Sequence, residues 1–203
     1  MPTEVRTTFV TAARSLPALV DRIPQPAWDG PGLGEWTLRS LVGHTSRSLS
    51  TVLTYLRRPA VEQIRSAAAY YEFVAQAIGA DPAAVTERGR QAGIDLGPQP
   101  ALTIHALVDE AVAAVETVTG DPVIETIAGG MRLDAYLPTR TFELAVHSLD
   151  IAAAINLPPT LPAAVLGDAL QLVAQIATLR GDGERVLLSL TGRRPLAAGY
   201  SVV

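Results

Sequence analysis

Two side chains in the stretch TRTFELAVHSLDIAAAI, Glu143 and His147, have the types and spacing to hold a cation. On a helix, at about 100° per residue, residues four apart point the same way from adjacent turns. A carboxylate and an imidazole so placed can share one metal ion, the device of helical zinc sites. The spacing suits a plain Glu–His pair on a helix surface equally well, and the pair alone leaves both readings open. The helical wheel adds context. Phe142, Ala145, Val146, Leu149, Ala152 and Ala153 cluster on one face, and Leu144, Ile151 and Ile155 lie nearly opposite. Arg140, Glu143, His147 and Asp150 fall between them within an arc of about 80°. A polar stripe held between two apolar faces is expected to line a cleft or an internal site, where charged groups need partners. A third ligand must come from elsewhere, and the chain has three histidines in all. His44, in LRSLVGHTSRS, flanks the apolar stripe of its own helix and follows a glycine that permits close approach. His105, in ALTIHALVDE, reads as a surface or core histidine of a bundle.

These residues need rigid elements to carry them. Helical periodicity and capping residues predict a first helix over 4–23 with Thr3 as cap and a kink at Pro17. The Pro- and Gly-rich loop PQPAWDGPGLGEW follows, long for a plain connector and of a length that often lines sites. Thr37 is expected to cap the next helix, on which Leu38, Leu41, Val42, Thr45, Leu49, Val52, Leu53 and Leu56 form one apolar stripe. Further helices are expected over 60–78, from Asp81-Pro82 onward, and over 100–118. Val123 to Ile127, Gly129-Gly130 and Met131 to Leu133 read as a β-hairpin. The helix bearing Glu143 and His147 is expected over 137–156, stopped by Leu157-Pro158-Pro159, and the last long helix over 162–180. Val186–Leu190 and Ala197–Val203 read as two short strands joined around Arg193-Arg194-Pro195. The fold class is thus mainly α, a four-helix bundle with extra helices and two short β-hairpins. Residues 1–181 form the bundle, and 182–203 a short β-hairpin extension packed on it.

Composition narrows the chemistry. The 203 residues suit one domain, and 48% hydrophobic with 18% charged residues argues for a packed core. There is no cysteine, which excludes a cysteine nucleophile and thiolate ligands from the chain. All sixteen basic residues are arginine, so Schiff-base and P-loop lysine chemistry are excluded as well. The net charge of −4 is spread in short patches without a basic stripe, which speaks against nucleic acid as a partner. No apolar run reaches membrane-spanning length, and MPTEVRTTFV lacks the apolar core of a secretory leader. A cytoplasmic protein, monomer or homodimer, is expected.

The pair of motifs GEWTLRSLVGHTSRS and PTRTFELAVHSLDIAAAI resembles the mycothiol-dependent maleylpyruvate isomerase family, within the DinB-like metal-binding bundles. The family pattern is a Trp followed by Thr or Ser, a helix with Leu-Val-x-His, then Arg-x-x-Glu-x-x-x-His-x-x-Asp. Its positions here are Trp36, Thr37, His44, Arg140, Glu143, His147 and Asp150. The resemblance, over about residues 4–180, implies a divalent metal, zinc by preference, on His44, Glu143 and His147. It further implies mycothiol as co-substrate and an electrophilic small molecule as its acceptor. In the isomerase version a thiolate adds to a cis double bond, which rotates before the thiol is expelled. Asp150 would orient a ligand histidine. Arg140 would neutralise Asp150 or hold an acidic substrate. Trp36, Arg193 and Arg194 are candidates for holding the cofactor, against the plain reading of Arg193 and Arg194 as solvated turn residues. Three protein ligands would leave one zinc position open, as in catalytic sites. That position would equally serve a zinc-dependent hydrolase, and a non-catalytic metal- or ligand-binding module also fits the residues.

Overall fold

Thr3 and Thr37 cap their helices as their types predict. Each side-chain oxygen accepts from the backbone N–H three residues on, at Arg6 and Ser40. A computed structural model describes residues 3–77, 82–158 and 160–203. Among them are α1 (Glu4–Val20), α2 (Leu38–Leu56), α3 (Ala67–Ala77), α4 (Pro82–Asp95), α5 (Pro100–Thr117), α6 (Leu133–Ala154), α7 (Ala163–Leu179) and α8 (Gly183–Leu190). Three short strands, β1 (Glu62–Ile64), β2 (Val123–Thr126) and β3 (Gly129–Arg132), and one 3-10 turn (Gln25–Ala27) complete the described elements. The fold is mainly helical, consistent with a DinB-like bundle. The predicted residues Ile78, Asp81 and Pro159 lie outside the described residues.

The bundle consists of α1, α2, α5 and α6. Both α1 and α2 pack on α5 and on α6, while α7 covers α6 and α1. Phe9, Ala13 and Leu16 from α1 meet Leu41, Leu49 and Val52 from α2 and Ile104, Leu137, Leu144 and Ile151 from the other helices in one buried core. Arg6, itself buried, fastens three helix ends together. Its Nε donates to Asp134 at the start of α6 at 2.6 Å, and its terminal nitrogens donate to the carbonyls of Val118 and Gly120 beyond α5. The helix α6 ends in a Schellman turn. Asn156 adopts the left-handed conformation (φ 54°), and the Leu157 N–H bonds back to the Ala152 carbonyl at 2.8 Å. The stop is therefore in place before the prolines.

Two predicted elements are corrected. The stretch 60–66 is not the start of a helix. Pro59 disfavours helix in the residue before it and bridges to Ile124, and β1 then pairs in parallel with β3, giving the order β1-β3-β2. The predicted hairpin of β2 and β3 is present, antiparallel, with Ile124 opposite Met131. The second hairpin is not. Val186–Leu190 belongs to α8, whose one buried residue, Val186, packs with the core. The Arg193 N–H closes α8 through the Leu188 carbonyl at 2.8 Å, with Gly192 at positive φ. With its partner strand helical, 197–203 has nothing to pair with and runs without regular structure, held by Arg180 donating to the Val202 carbonyl. Among the described residues no helix is long and apolar enough to cross a membrane.

Close approach of backbones sets the place of α4. A Cβ at Gly43 of α2 would lie 2.3 Å from the backbone nitrogen of Gly93 in α4. Gly43→Ala should therefore force the helices apart and destabilise the fold by about 1–3 kcal/mol, the usual cost of overpacking. Gly167 lies within α7 with open space around it, so Gly167→Ala should stabilise by roughly 0.5–1 kcal/mol through helix propensity. Thermal denaturation of both variants checks the pair. A Gly43→Ala protein as stable as the parent would contradict the close crossing.

Candidate metal centre

The polar stripe of α6 faces inward. Arg140 is buried, and Glu143 and His147 are half-buried beneath α2. His44 reaches the same spot from α2. One ligand atom from each of His44, Glu143 and His147 lies within 4.8 Å of the others. The imidazole rings of His44 and His147 meet edge-on, 5.0 Å between centroids. These three residue types in one cluster can hold a divalent cation, and two nitrogens with one oxygen suit zinc. The fit is supported by an orphaned atom. Nδ1 of His44 is buried without a hydrogen-bond partner, so the polypeptide leaves part of this imidazole's bonding capacity unused.

Neighbouring groups hold the other two in place. His147 donates from Nδ1 to Asp150 Oδ2 at 3.0 Å, which aims Nε2 at the cluster, 3.2 Å from Glu143 Oε2. Asp150 thus stands where it can orient this imidazole. The Tyr71 hydroxyl, on α3, donates to Glu143 Oε1 at 2.6 Å. The two oxygens of Glu143 are therefore divided, one committed to Tyr71 and the other turned toward His147. Trp36 covers the cluster from the end of the long loop. Its ring packs on His44, 4.5 Å between centroids, and its indole N–H donates to the Thr86 carbonyl of α4 at 2.9 Å. Gly89 of α4 leaves the room this needs, since a Cβ there would lie 2.5 Å from the indole.

Electrostatics follow from burial and pairing. Desolvation, reinforced by the charge of His147, lowers His44 to about 4. Burial alone would raise Glu143, but its hydrogen bond to His147 and the Arg140 charge hold it down at about 2. Burial likewise disfavours charge on His147, yet hydrogen bonds to Asp150 and Glu143 raise it to about 9. In the metal-free protein His147 is thus an imidazolium between two carboxylates, and His44 is neutral.

Two sequence expectations need correction. Arg140 does not neutralise Asp150, which is engaged with His147. Its guanidinium instead stacks over Tyr136 and Tyr70, 5.0 and 5.6 Å from the ring centroids. Arg193 and Arg194 are exposed and do not line the cavity beside the cluster, and Arg193 bonds the Thr191 carbonyl in its own turn. His105 stands apart on the surface, 3.0 Å from Asp21. Sequence reasoning missed Tyr71 and the arginines Arg47 and Arg88, which line the cavity. Arg47 carried a signal, standing three residues after His44 on one helix. Tyr71 and Arg88 carried none, because their helices reach the site only through tertiary packing.

The mycothiol maleylpyruvate isomerase N-terminal domain family model matches residues 9–152, and the chain belongs to this family. No curated protein and no solved structure matches it.

Binding of a cation at Nε2 of His147 must displace a proton. His147 is raised above its ordinary 6.5 to about 9. Its charged form therefore stabilises the metal-free fold fully below pH 6.5, and this contribution fades as pH rises through 9. Affinity of this candidate centre for a divalent cation should run the opposite way, rising about tenfold per pH unit up to 9 and flattening above it. Calorimetry in buffers of different ionisation enthalpy should find about one proton released at pH 7, since His44 and Glu143 are already deprotonated. No release would contradict the His147 assignment. Tyr71→Phe removes the donor to Glu143 and should weaken binding of a divalent cation at this candidate centre about ten- to a hundredfold.

Proposed function

We propose, from membership of the mycothiol maleylpyruvate isomerase N-terminal domain family, that this chain holds one zinc ion through His44, Glu143 and His147. We propose further that it adds a low-molecular-weight thiol, mycothiol, to an electrophilic small molecule as an isomerase or S-transferase, in the cytoplasm. The observation that carries this reading is the convergence of three donors from two helices, an incomplete set for a tetrahedral ion, beside a cavity of about 240 Å³. When bound, zinc supplies Lewis acidity sufficient to keep a coordinated thiol deprotonated at neutral pH. The chain has no cysteine, so the thiol has to arrive with a small molecule.

The protein's own groups do the positioning. Asp150 keeps the Nδ1 proton on His147 and so fixes the tautomer that presents Nε2. Tyr71 occupies Oε1 of Glu143, which restricts this carboxylate to one coordinating oxygen and leaves room for an incoming group. Trp36 packs against His44 and limits its ring motion while shielding that side from water.

Purified protein should contain about one zinc per chain. His44→Ala, Glu143→Ala and His147→Ala should each lower occupancy sharply, and His105→Ala should not. Full occupancy in the His147→Ala protein would overturn the ligand assignment. In cobalt-substituted protein, mycothiol should generate an intense near-ultraviolet sulfur-to-cobalt band. No spectral change at millimolar thiol would refute the thiol-transfer reading and leave a hydrolase or a binding module.

A further inference from the structure

Arg140 makes no direct ion pair among the described residues, although Glu143 lies close enough to favour its charge. The Arg140 side chain is buried with the residue 8% exposed, and its Nε donates to Thr139 Oγ1 at 2.9 Å. The nearest carboxylate in sequence, Glu143, is already divided between Tyr71 and His147. The terminal N–H groups of Arg140, with no hydrogen bond to the described residues and not fully buried, stay available to an acceptor that enters the cavity.

Its surroundings are electropositive. Arg47 from α2 and Arg88 from α4 line the same cavity, and neither is in an ion pair among the described residues. Among the described residues Glu143 is the one acidic group in the lining. Such a concentration of cations in a chain of net charge −4 marks a place for an anion. The walls are also aromatic. Tyr70 and Tyr136, themselves edge-to-face at 5.8 Å, both turn toward the guanidinium, with Tyr71 beside them, 5.6 Å from Tyr70 between ring centroids. A flat apolar body can lie along these rings while its charged end meets the planar fork of Arg140. The cavity, about 240 Å³, is below the roughly 300–1,000 Å³ usual for drug-sized ligands.

We propose that this cavity is a binding site for a small aromatic carboxylate, its acid group on Arg140 and assisted by Arg47 and Arg88. This deepens the proposed function by assigning the substrate's class, but the groups that would hold the acid, Arg140, Arg47 and Arg88, are not among the three candidate metal ligands, of which His44 and Glu143 also border the cavity. Its test can therefore fail while the zinc reading stands, and the reverse.

Benzoate serves as the probe, titrated into the full chain by calorimetry and followed by ligand-observed NMR. Benzoate should bind at least about tenfold more tightly than benzyl alcohol, which has the ring without the charge, or than acetate or inorganic phosphate, which have charge without the ring. Arg140→Gln should weaken benzoate by about tenfold or more. Arg88→Gln, a change at the cavity wall that does not disturb the buried stack, should weaken it about two- to fivefold. Arg22→Gln, far from the cavity, should leave it unchanged. His147→Ala should retain benzoate binding, which separates this site from the metal. If Arg140→Gln fails to fold, Arg88→Gln against Arg22→Gln decides the matter. Equal binding of phosphate and benzoate, or benzoate binding indifferent to Arg140→Gln and Arg88→Gln, would overturn the proposal.

Discussion

Burial of Glu143 beside His147, one turn apart on α6, is the constraint around which the other contacts are arranged. A carboxylate in the interior is unfavourable unless its oxygens are used, and both are. Tyr71 takes one and His147 faces the other. The imidazole then needs its second nitrogen satisfied, and Asp150, a further turn along the same helix edge, accepts from it. A single stripe of one helix thus carries a chain of charge-assisted contacts whose only open end points at His44. The His44 nitrogen without a partner is where this network is incomplete, and an incomplete buried network is the physical mark of a place meant for something else.

Holding His44 opposite that stripe requires the rest of the bundle. The apolar face of α2 from Leu38 to Val52 fixes the helix against the core. Trp36, just before the Thr37 cap, is thereby carried to a position over the imidazole. The indole is tied in turn to α4 through Thr86, and α4 can lie that close because glycines meet α2 at Gly43 and Gly93 and face the indole at Gly89. The long loop between α1 and α2 is accordingly not slack. Backbone bonds from Leu38 to Gly30 and from Arg39 to Trp28 hold it onto the start of α2.

Much of this was legible in residue order, and the boundary is physical. Caps, helical stripes and the β2–β3 turn depend on neighbours within a few residues, so Thr3, Thr37 and the hairpin read correctly. The inward direction of the α6 stripe was legible too, because two apolar faces cannot both be satisfied by solvent. Elements defined by distant partners were not. The stretch around Val61 and Ile64 is extended because β3 offers it a ladder seventy residues later in the chain, roughly, and nothing local announces that. The segment Val186–Leu190 is apolar and short, a composition shared by strands and helices, and the turn at Gly192 decided it. Tyr71 and Arg88 became visible at the site only when α3 and α4 were placed against α2 and α6.

The origin of the groups distinguishes the two roles proposed for this site. The three candidate ligands and Asp150 come from α2 and α6, members of the central bundle whose positions are set by the deepest core. The cavity walls draw on α3 and α4, which lie against that bundle: Tyr70, Tyr71, Val74, Val85 and Arg88. A change of ligand type at His44 or His147 would disturb core helices and the buried charge network together. A change at Val85 or Arg88 would alter only the wall, with its charge and volume. The two share α2 and α6 as well, since His44, Glu143 and Arg140 all border the cavity. Arg140 stands one turn before Glu143 on α6, lowers that carboxylate's affinity for protons, and presents its free face to the cavity. An anion seated on Arg140 would offset part of its field at Glu143. An anion in the cavity and a cation at the centre would therefore be coupled in part through this guanidinium, and by reciprocity each would influence the other.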